Sequence, residues 1–262
     1  MTAAAAGPVR RTSGVARWRR FVDPAIMFAL LAVAWEKWVD IFHIKPYLLP
    51  PLSKVLATAW ASRAVLFRES WITTLEIVQG FGWAMVAGVA LAMAIHASAV
   101  AQRTVYPLIV AFQGLPKIAL APLMVVWVGY GTASKVLMAF LFAFFPVVIG
   151  TLGGLASTSP ALIEHFRAIR ASRSTTFRRL HVPSALPAVI DGAKTAMPLA
   201  VIGAIVGEFV GSEAGLGHLI LEANANGRTD LLFAALLMVS AVAGVLYLVV
   251  ELAGRRVWWR AL

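Results

Sequence analysis

The chain has 262 residues, of which 60% are hydrophobic and only 13% are charged, and its mean hydropathy is +0.82. Soluble domains carry about 25% charged residues, so this composition excludes an ordinary soluble protein. The net charge is +11. Its basic residues cluster beside apolar runs, which favours contact with the cytoplasmic membrane face over nucleic-acid binding. Because there is no cysteine, disulfides, thiolate nucleophiles and iron–sulfur ligands are excluded as well.

The apolar runs predict an all-α polytopic membrane protein with about six transmembrane helices, since a run of ~20 residues crosses a bilayer. Residues 1–22 read as an Ala-rich, then basic cytoplasmic tail, and the first apolar run is too long for a cleaved signal. The transmembrane domain covers 23–255, and 256–262 is a second tail. The predicted spans are about 24–43, 71–97, 105–128, 134–156, 188–210 and 230–251, the third being interrupted by Gly114, Pro116 and Pro122. Segments 53–64 and 211–227 are predicted as shorter, non-spanning helices.

The distribution of basic residues predicts the orientation. The tail, the loop with Arg103, the polar segment 158–187 and the C-terminus share one face and hold most of the arginines. This bias places both termini in the cytoplasm. The opposite loops hold fewer basic residues, namely Lys45, Lys54, Arg63, Arg68, Lys135 and Arg228.

The segment 158–187 is the most informative stretch of the chain. Ser159-Pro160 is typical of a helix start, Ala171-Ser172 of a break, and a second basic helix is predicted to end before Pro183. Leu162, Phe166 and Ile169 form an apolar stripe, which we expect to pack on the membrane domain. Glu164 and Arg167 then face a soluble partner. The alternative is an ordinary basic loop that only fixes topology. The five arginines of this segment are Arg167, Arg170, Arg173, Arg178 and Arg179.

This segment resembles the cytoplasmic "EAA" loop of ABC importer permeases, with Glu164-His165-Phe166, Ala171-Ser172 and Val182 to Pro187 at the matching places. Other motifs resemble the branch that includes nitrate, sulfonate and taurine permeases. They are 114–123 (GLPKIALAPL), Trp127, 129–131 (GYG), Glu208 and 215–217 (GLG). His165-Phe166 replaces two small alanines, and Arg170 stands where the family has glycine. Arginine there must take another turn or project a charge into the interface.

The resemblance implies a type I ABC importer permease fold, with two copies of the chain around a central pathway. Two cytoplasmic ATPase subunits would hold ATP and Mg, while this chain binds no cofactor. A periplasmic or lipid-anchored solute-binding protein would deliver a small oxyanion such as a sulfonate, taurine or nitrate, although relatives also carry heterocyclic compounds. The implied ATPase-coupling residues are Glu164, His165, Phe166, Arg167, Ile169, Arg170, Ala171 and Ser172.

Charged residues inside the predicted spans are sparse. Candidates for a pathway or gating role are Lys117, Glu208, Gly215 and Gly217, although Glu208 could instead cap the following turn and Lys117 could snorkel or pair with a carboxylate. Glu76 also lies in a span. Asp191 and Lys194 are predicted to form a local ion pair.

Enzymes and metal-binding proteins are disfavoured, because the sequence lacks the residue patterns that they need. Its five histidines show no metal-ligand spacing, and no nucleophile–base set or ATP-binding loop is present, so we expect no enzyme and no metal site. The rival transport hypothesis is a secondary transporter driven by an ion gradient. It would need paired charges within the membrane, which the sequence pattern does not make evident.

Overall fold

The computed structural model describes residues 14–258, so the predicted tails 1–22 and 256–262 lie largely outside the described residues. The described part of the chain is helical and contains no strand. Helix α1 begins before the predicted first span. The helices are α1 Gly14–Ile41, α2 Leu52–Ala61, α3 Arg63–Ala97, α4 Ala99–Gln113, α5 Ala121–Val128, α6 Thr132–Ala156, α7 Pro160–Ala168, α8 Arg173–Thr176, α9 Val182–Gly211, α10 Leu216–Ala225 and α11 Thr229–Trp258.

Four helices of the described chain are long and apolar enough to cross a membrane: α3, α6, the continuous helix Arg173–Gly211 and α11. Helices α4 and α5, joined by a 3₁₀ turn at Lys117–Leu120, bend by 88°, and together they have the length and apolar composition of a broken fifth span or of a re-entrant loop. Helix α1 overlaps the first predicted span, 24–43, but carries charged residues near both ends. Helix α10 is short and follows α9 closely, as expected for a non-spanning segment.

The core forms where α3, α6 and α9 cross, and small residues allow the backbones to approach. A side-chain carbon added at Gly80 would lie 2.5 Å from the Ala139 Cβ, and one added at Gly88 would lie 2.8 Å from Val147. Glycines along the second predicted span, Gly80, Gly82 and Gly88, suggest close helix packing, and this is confirmed at Gly80 and Gly88. At Gly82 no described residue lies within 4 Å of an added side-chain carbon.

The polar segment 158–187 differs from its predicted form at one point. Its second helix does not end before Pro183, because α8, a π-helical turn at Phe177–His181 and α9 form one continuous helix. Proline inside a helix removes a donor and clashes with the carbonyl four residues earlier. The wider π turn directly before Pro183 changes the hydrogen-bond register there, so the helix continues.

The fold therefore has two functionally distinct ends. The connection between α6 and α9, which contains α7 and α8, lies at one end. The start of α6, the end of α9, α2 and α10 lie at the other end. There an apolar cluster around Val55, Leu66 and Leu216 joins α2, α3, α10 and α11. With a rise of 1.5 Å per residue, the two ends of α6 are roughly 35 Å apart.

Candidate functional site

Helix α7 projects from the helical body as a short amphipathic rod. It begins at Pro160 and ends at Ala168, close to the predicted boundaries, and the predicted break at Ala171-Ser172 is present. Ser172 opens α8, because its hydroxyl accepts a hydrogen bond from the Thr175 backbone N–H at 3.2 Å. Glu164, His165 and Arg167 are all exposed on α7, so their charges are available to a partner.

The apolar stripe of α7 faces away from the chain. Leu162 is 47% exposed and Ile169 is 60% exposed, while Phe166 is half-buried with its ring 6.4 Å from that of His165. The expectation that this stripe packs on the membrane domain is therefore wrong for Leu162 and Ile169. The connection joins α7 to the helical body at the two ends of this helix, so its apolar stripe is accessible to another protein.

Arg170 closes α7 in the left-handed conformation usually reserved for glycine, with φ of 54°. The Ala171 N–H donates to the Phe166 carbonyl, and the Arg170 N–H donates to the Arg167 carbonyl, both at 2.9 Å. This is the hydrogen-bond pattern of a Schellman cap. The sequence left two outcomes for arginine at this position, another turn or a charge that projects into the interface. The prediction of another turn is wrong, because Arg170 adopts the left-handed turn. The side chain is exposed, which leaves its charge free at the surface.

The base of this connection contacts the end of α3. Thr158 and His181 are hydrogen-bonded through Oγ1 and Nδ1 at 3.0 Å. The His181 ring lies 5.0 Å from that of His96, and Phe177 lies 6.3 Å from His96. These contacts link the π turn directly to α3, so a displacement of α7 and α8 reaches two of the three core helices.

At the opposite end, side chains of α3 and α9 cap the buried N-terminus of α10. Glu69 accepts from the Gly215 N–H at 2.7 Å, Thr73 Oγ1 accepts from the Leu216 N–H at 2.8 Å, and Glu208 Oε2 accepts from the Gly217 N–H. These are the backbone donors that a helix N-terminus leaves without partners. Carboxylates there also complement the positive end of the helix dipole.

The two glycines of the 215–217 motif make this close approach possible. Gly215 has φ of 106°, which disfavours any other residue. A side-chain carbon at either glycine would collide with the Glu208 carboxylate. The structure thus gives Glu208, Gly215 and Gly217 a shared capping role, in line with the alternative considered for Glu208. Their predicted pathway or gating role stays a prediction.

A buried ion pair lies beside this cap. Lys135 Nζ is 2.6 Å from Glu76 Oε1 and donates to Ser212 Oγ at 2.9 Å. Both charged side chains are almost completely buried. Lys135 is therefore not the outer-loop residue that the charge count assumed, since it belongs to the first turn of α6 and points inward. We name Glu69, Thr73, Glu76, Lys135, Glu208 and Ser212 the outer cluster.

Lys117 lies at the 88° bend between α4 and α5. Its Nζ is 4.7 Å from the centre of the Phe145 ring and 5.8 Å from that of Phe142, which are cation–π distances. No carboxylate of the described residues pairs with it. Among the described residues Lys117 thus contacts aromatic faces and not a carboxylate, which was one of the alternatives, and its pathway or gating role stays a prediction.

Sequence reasoning missed Glu69, Thr73, Lys135 and Ser212. One signal could have revealed part of this set: Glu69, Thr73 and Glu76 are spaced i, i+4 and i+7, so they share one face of a helix. The predicted ion pair between Lys194 and Asp191 is confirmed at 3.3 Å. Within residues 14–258, His, Asp and Glu form no group of three that could hold a metal ion.

Comparison with known proteins identifies the class. The family described as the binding-protein-dependent transport system inner membrane component matches residues 82–259. The chain belongs to this family. It is an ABC importer permease subunit of the inner membrane, which agrees with the predicted fold and resemblance.

Several characterised relatives of this permease transport different solutes. The formylaminopyrimidine transport permease ThiX of Halalkalibacterium halodurans is 40% identical over 75% of this chain and 79% of its own length. The riboflavin transport permease RibX of Chloroflexus aurantiacus is 33% identical over 97% of this chain and 98% of its own. The taurine permease TauC of Escherichia coli is 26% identical over 87% and 86%.

A solved structure confirms the type I ABC importer permease fold. A chain of the inward-facing MetNI methionine ABC transporter superposes with a TM-score of 0.65 and 21% sequence identity. The match covers 77% of this permease and 98% of that chain.

Proposed function

We propose that this permease forms an importer with two cytoplasmic ATPase subunits, one docked on the α7–α8 connection of each of two permease copies. The observation that carries this proposal is the unpaired apolar stripe of α7, with Leu162 and Ile169 exposed outside the helical body. An amphipathic helix docks by laying such a stripe into a groove of its partner. Glu164, His165, Arg167 and Arg170 would surround the contact and set its specificity.

Movement of the ATPases would reach the membrane through the contacts at the base of the connection. Helix α8 continues into α9 without a break, so a displacement of α8 would tilt α9 as one rigid helix. The contacts of His181 and Phe177 with His96 pass the same displacement to α3. ATP and Mg would act entirely on the ATPase subunits, and this chain itself would catalyse no reaction.

The second permease copy would cover the broken span. The bend between α4 and α5 exposes several large apolar side chains, including Leu115, Ile118, Val126 and Trp127. Two copies facing each other through these surfaces would enclose a pathway with Lys117 near the bend. We therefore propose a homodimer, as the family resemblance implies.

With the α7 end in the cytoplasm, both termini lie in the cytoplasm and the outer cluster lies near the periplasmic surface. The segments 45–68 and 129–135, which include α2 and the starts of α3 and α6, would then lie on the face that receives the solute-binding protein, which is periplasmic or lipid-anchored. The arginines of the connection support this orientation through the positive-inside rule.

The solute class is proposed from the relatives. Two that exceed 30% identity are named for heterocyclic compounds, formylaminopyrimidine and riboflavin, whereas the taurine permease is 26% identical. The order of identity favours a small heterocyclic solute, and a sulfonate, taurine or nitrate remains the second candidate from the sequence motifs.

Reconstitution in liposomes tests the proposal. The permease is inserted with its ATPase, the binding protein is added outside, and uptake of labelled pyrimidine, flavin and taurine is compared. We expect uptake of one solute class that requires both partners and ATP. Uptake by the permease alone under a proton or sodium gradient would instead support the secondary transporter.

A further inference from the structure

The outer cluster contains more buried negative than positive charge. Glu76, Glu208 and Lys135 are each buried. Thr73, one turn before Glu76 on α3, donates to Glu208, and Lys135, the ion-pair partner of Glu76, packs against Gly207 beside Glu208, so the two carboxyl groups lie in the same buried site. If both carboxyl groups were ionised, one uncompensated negative charge would lie inside the protein, at a cost of several kcal/mol.

The hydrogen bonds of the cluster show where a donor is lacking. Both oxygens of Glu208 accept a hydrogen bond, since Thr73 donates to Oε1 at 2.6 Å and the Gly217 N–H donates to Oε2. Glu76 Oε1 is paired with Lys135. Within the described residues neither Glu76 oxygen accepts a well-aligned hydrogen bond, and Oε2 also lacks an ion-pair contact. A buried acceptor without a donor costs free energy that a proton on this oxygen would remove.

We infer that the outer cluster is a proton-binding site, in which one proton is shared in a hydrogen bond between the carboxyl groups of Glu76 and Glu208. The two carboxyl groups then carry one negative charge together, and the positive charge of Lys135 balances it. The group of Glu76, Glu208 and Lys135 is then neutral. The inference extends beyond import itself and does not depend on the identity of the solute.

The other charged groups around the cluster leave this balance unchanged. On α3, Arg68 lies 2.6 Å from Glu69, which neutralises that carboxylate. On α10, the half-buried His218 makes no hydrogen bond or ion pair with the described residues. Glu213, beyond the end of α9, is exposed to water. The unbalanced pair is therefore Glu76 and Glu208.

A cavity provides access for the proton. It has a volume of about 450 Å³ and is lined by residues of the 130–135 and 210–214 segments, including Lys135, Ser212 and Glu213. Water in this cavity would reach the Lys135–Ser212 side of the cluster. The proton site then exchanges with the aqueous phase at the α10 end of the protein, opposite α7.

Infrared spectroscopy of the purified permease, with and without ¹³C-labelled glutamate, tests this inference. We expect a C=O stretching band of a protonated carboxylic acid at neutral pH that shifts with the label. The band should be lost in Glu76→Gln and in Glu208→Gln, because each variant leaves one carboxylate balanced by Lys135. It should persist in Glu164→Gln, which changes an exposed carboxylate on α7.

Two results would overturn the inference. The first is absence of a protonated glutamate band in the unmodified permease at neutral pH, a measurement that needs no variant to fold. The second is persistence of the band in both glutamine variants, which would assign the proton to another group. Neither result bears on ATPase docking, so the proposed function is tested separately.

Discussion

Lys135 of α6 and Glu76 of α3 form a buried ion pair with 2.6 Å between Nζ and Oε1. Lys135 also holds Ser212 at the end of α9, so three core helices are joined at one point. At their other end the same helices pack through small and apolar residues, with Ile95 of α3 against Leu152 of α6 and Gly154 of α6 against Ala185 of α9. The outer ends are joined in addition by buried charge, and the end that would meet an ATPase presents the exposed apolar stripe of α7.

The ion pair predicts a large loss of stability when Lys135 is replaced by a neutral residue. Lys135→Ala leaves Glu76 in the interior without a partner, which destabilises a protein by about 3–5 kcal/mol. Thermal unfolding of the purified permease would show a lower midpoint. The control is Lys54→Ala, which removes an exposed lysine. Adding Glu76→Gln to Lys135→Met should restore part of the stability. Equal unfolding midpoints for Lys135→Ala and Lys54→Ala would contradict the prediction.

The cap of α10 predicts that Gly215 tolerates no side chain. Gly215→Ala should lower the unfolding midpoint strongly, because the added carbon meets the Glu208 carboxylate. Gly217 has no positive φ, yet its added carbon also meets Glu208, so Gly217→Ala should lower the midpoint through the collision alone. Gly227 has positive φ, 66°, and no described residue lies within 4 Å of its added carbon, so Gly227→Ala should cost only about 1–2 kcal/mol. Equal effects of Gly217→Ala and Gly227→Ala would show that the collision is relieved without cost.

The sequence predicted some elements well because their signals are local. The boundaries of α7 follow from Ser159-Pro160 and from Ala171-Ser172, and the broken third span follows from its glycine and prolines. These residues act on the backbone next to them, so a single stretch of sequence carries the information.

Other features depended on contacts between distant residues. Lys135 follows a Gly-Tyr-Gly loop and looks like a surface residue, but its partner Glu76 lies on another helix. The outward direction of the α7 stripe could not be predicted either, since periodicity gives a face and not its environment. Continuation of the helix through Pro183 required the π turn before it, for which the sequence carried no recognised signal.

The conformation of Arg170 predicts that substitutions can distinguish the effect of its backbone turn on activity from the effect of its side-chain charge. Arg170→Gly preserves the left-handed turn at lower strain, so solute-stimulated ATP hydrolysis in liposomes should be retained or increased. Arg170→Val should reduce it severely, because a β-branched residue is a strong outlier at positive φ. Arg178→Val, in the exposed part of the π turn, is the control. Loss of activity in Arg170→Gly would mean that the guanidinium itself is needed.

The exposed charge of α7 predicts a coupling defect without a folding defect. Glu164→Lys should abolish solute-stimulated ATP hydrolysis, since it reverses a charge at the proposed contact, while membrane insertion and the unfolding midpoint stay unchanged. Normal stimulated hydrolysis in this variant would contradict the assignment of Glu164 to the coupling surface.

Co-purification of the ATPase with the tagged permease from gently solubilised membranes tests the central claim most directly. The unmodified permease should retain the ATPase in a fixed ratio, and the double variant Leu162→Asp/Ile169→Asp should lose it while inserting normally. Ser174→Asp, an exposed change on α8, is the control and should retain it. An ATPase retained equally by the double variant, or a permease that purifies alone in active form, would contradict docking on the α7 stripe.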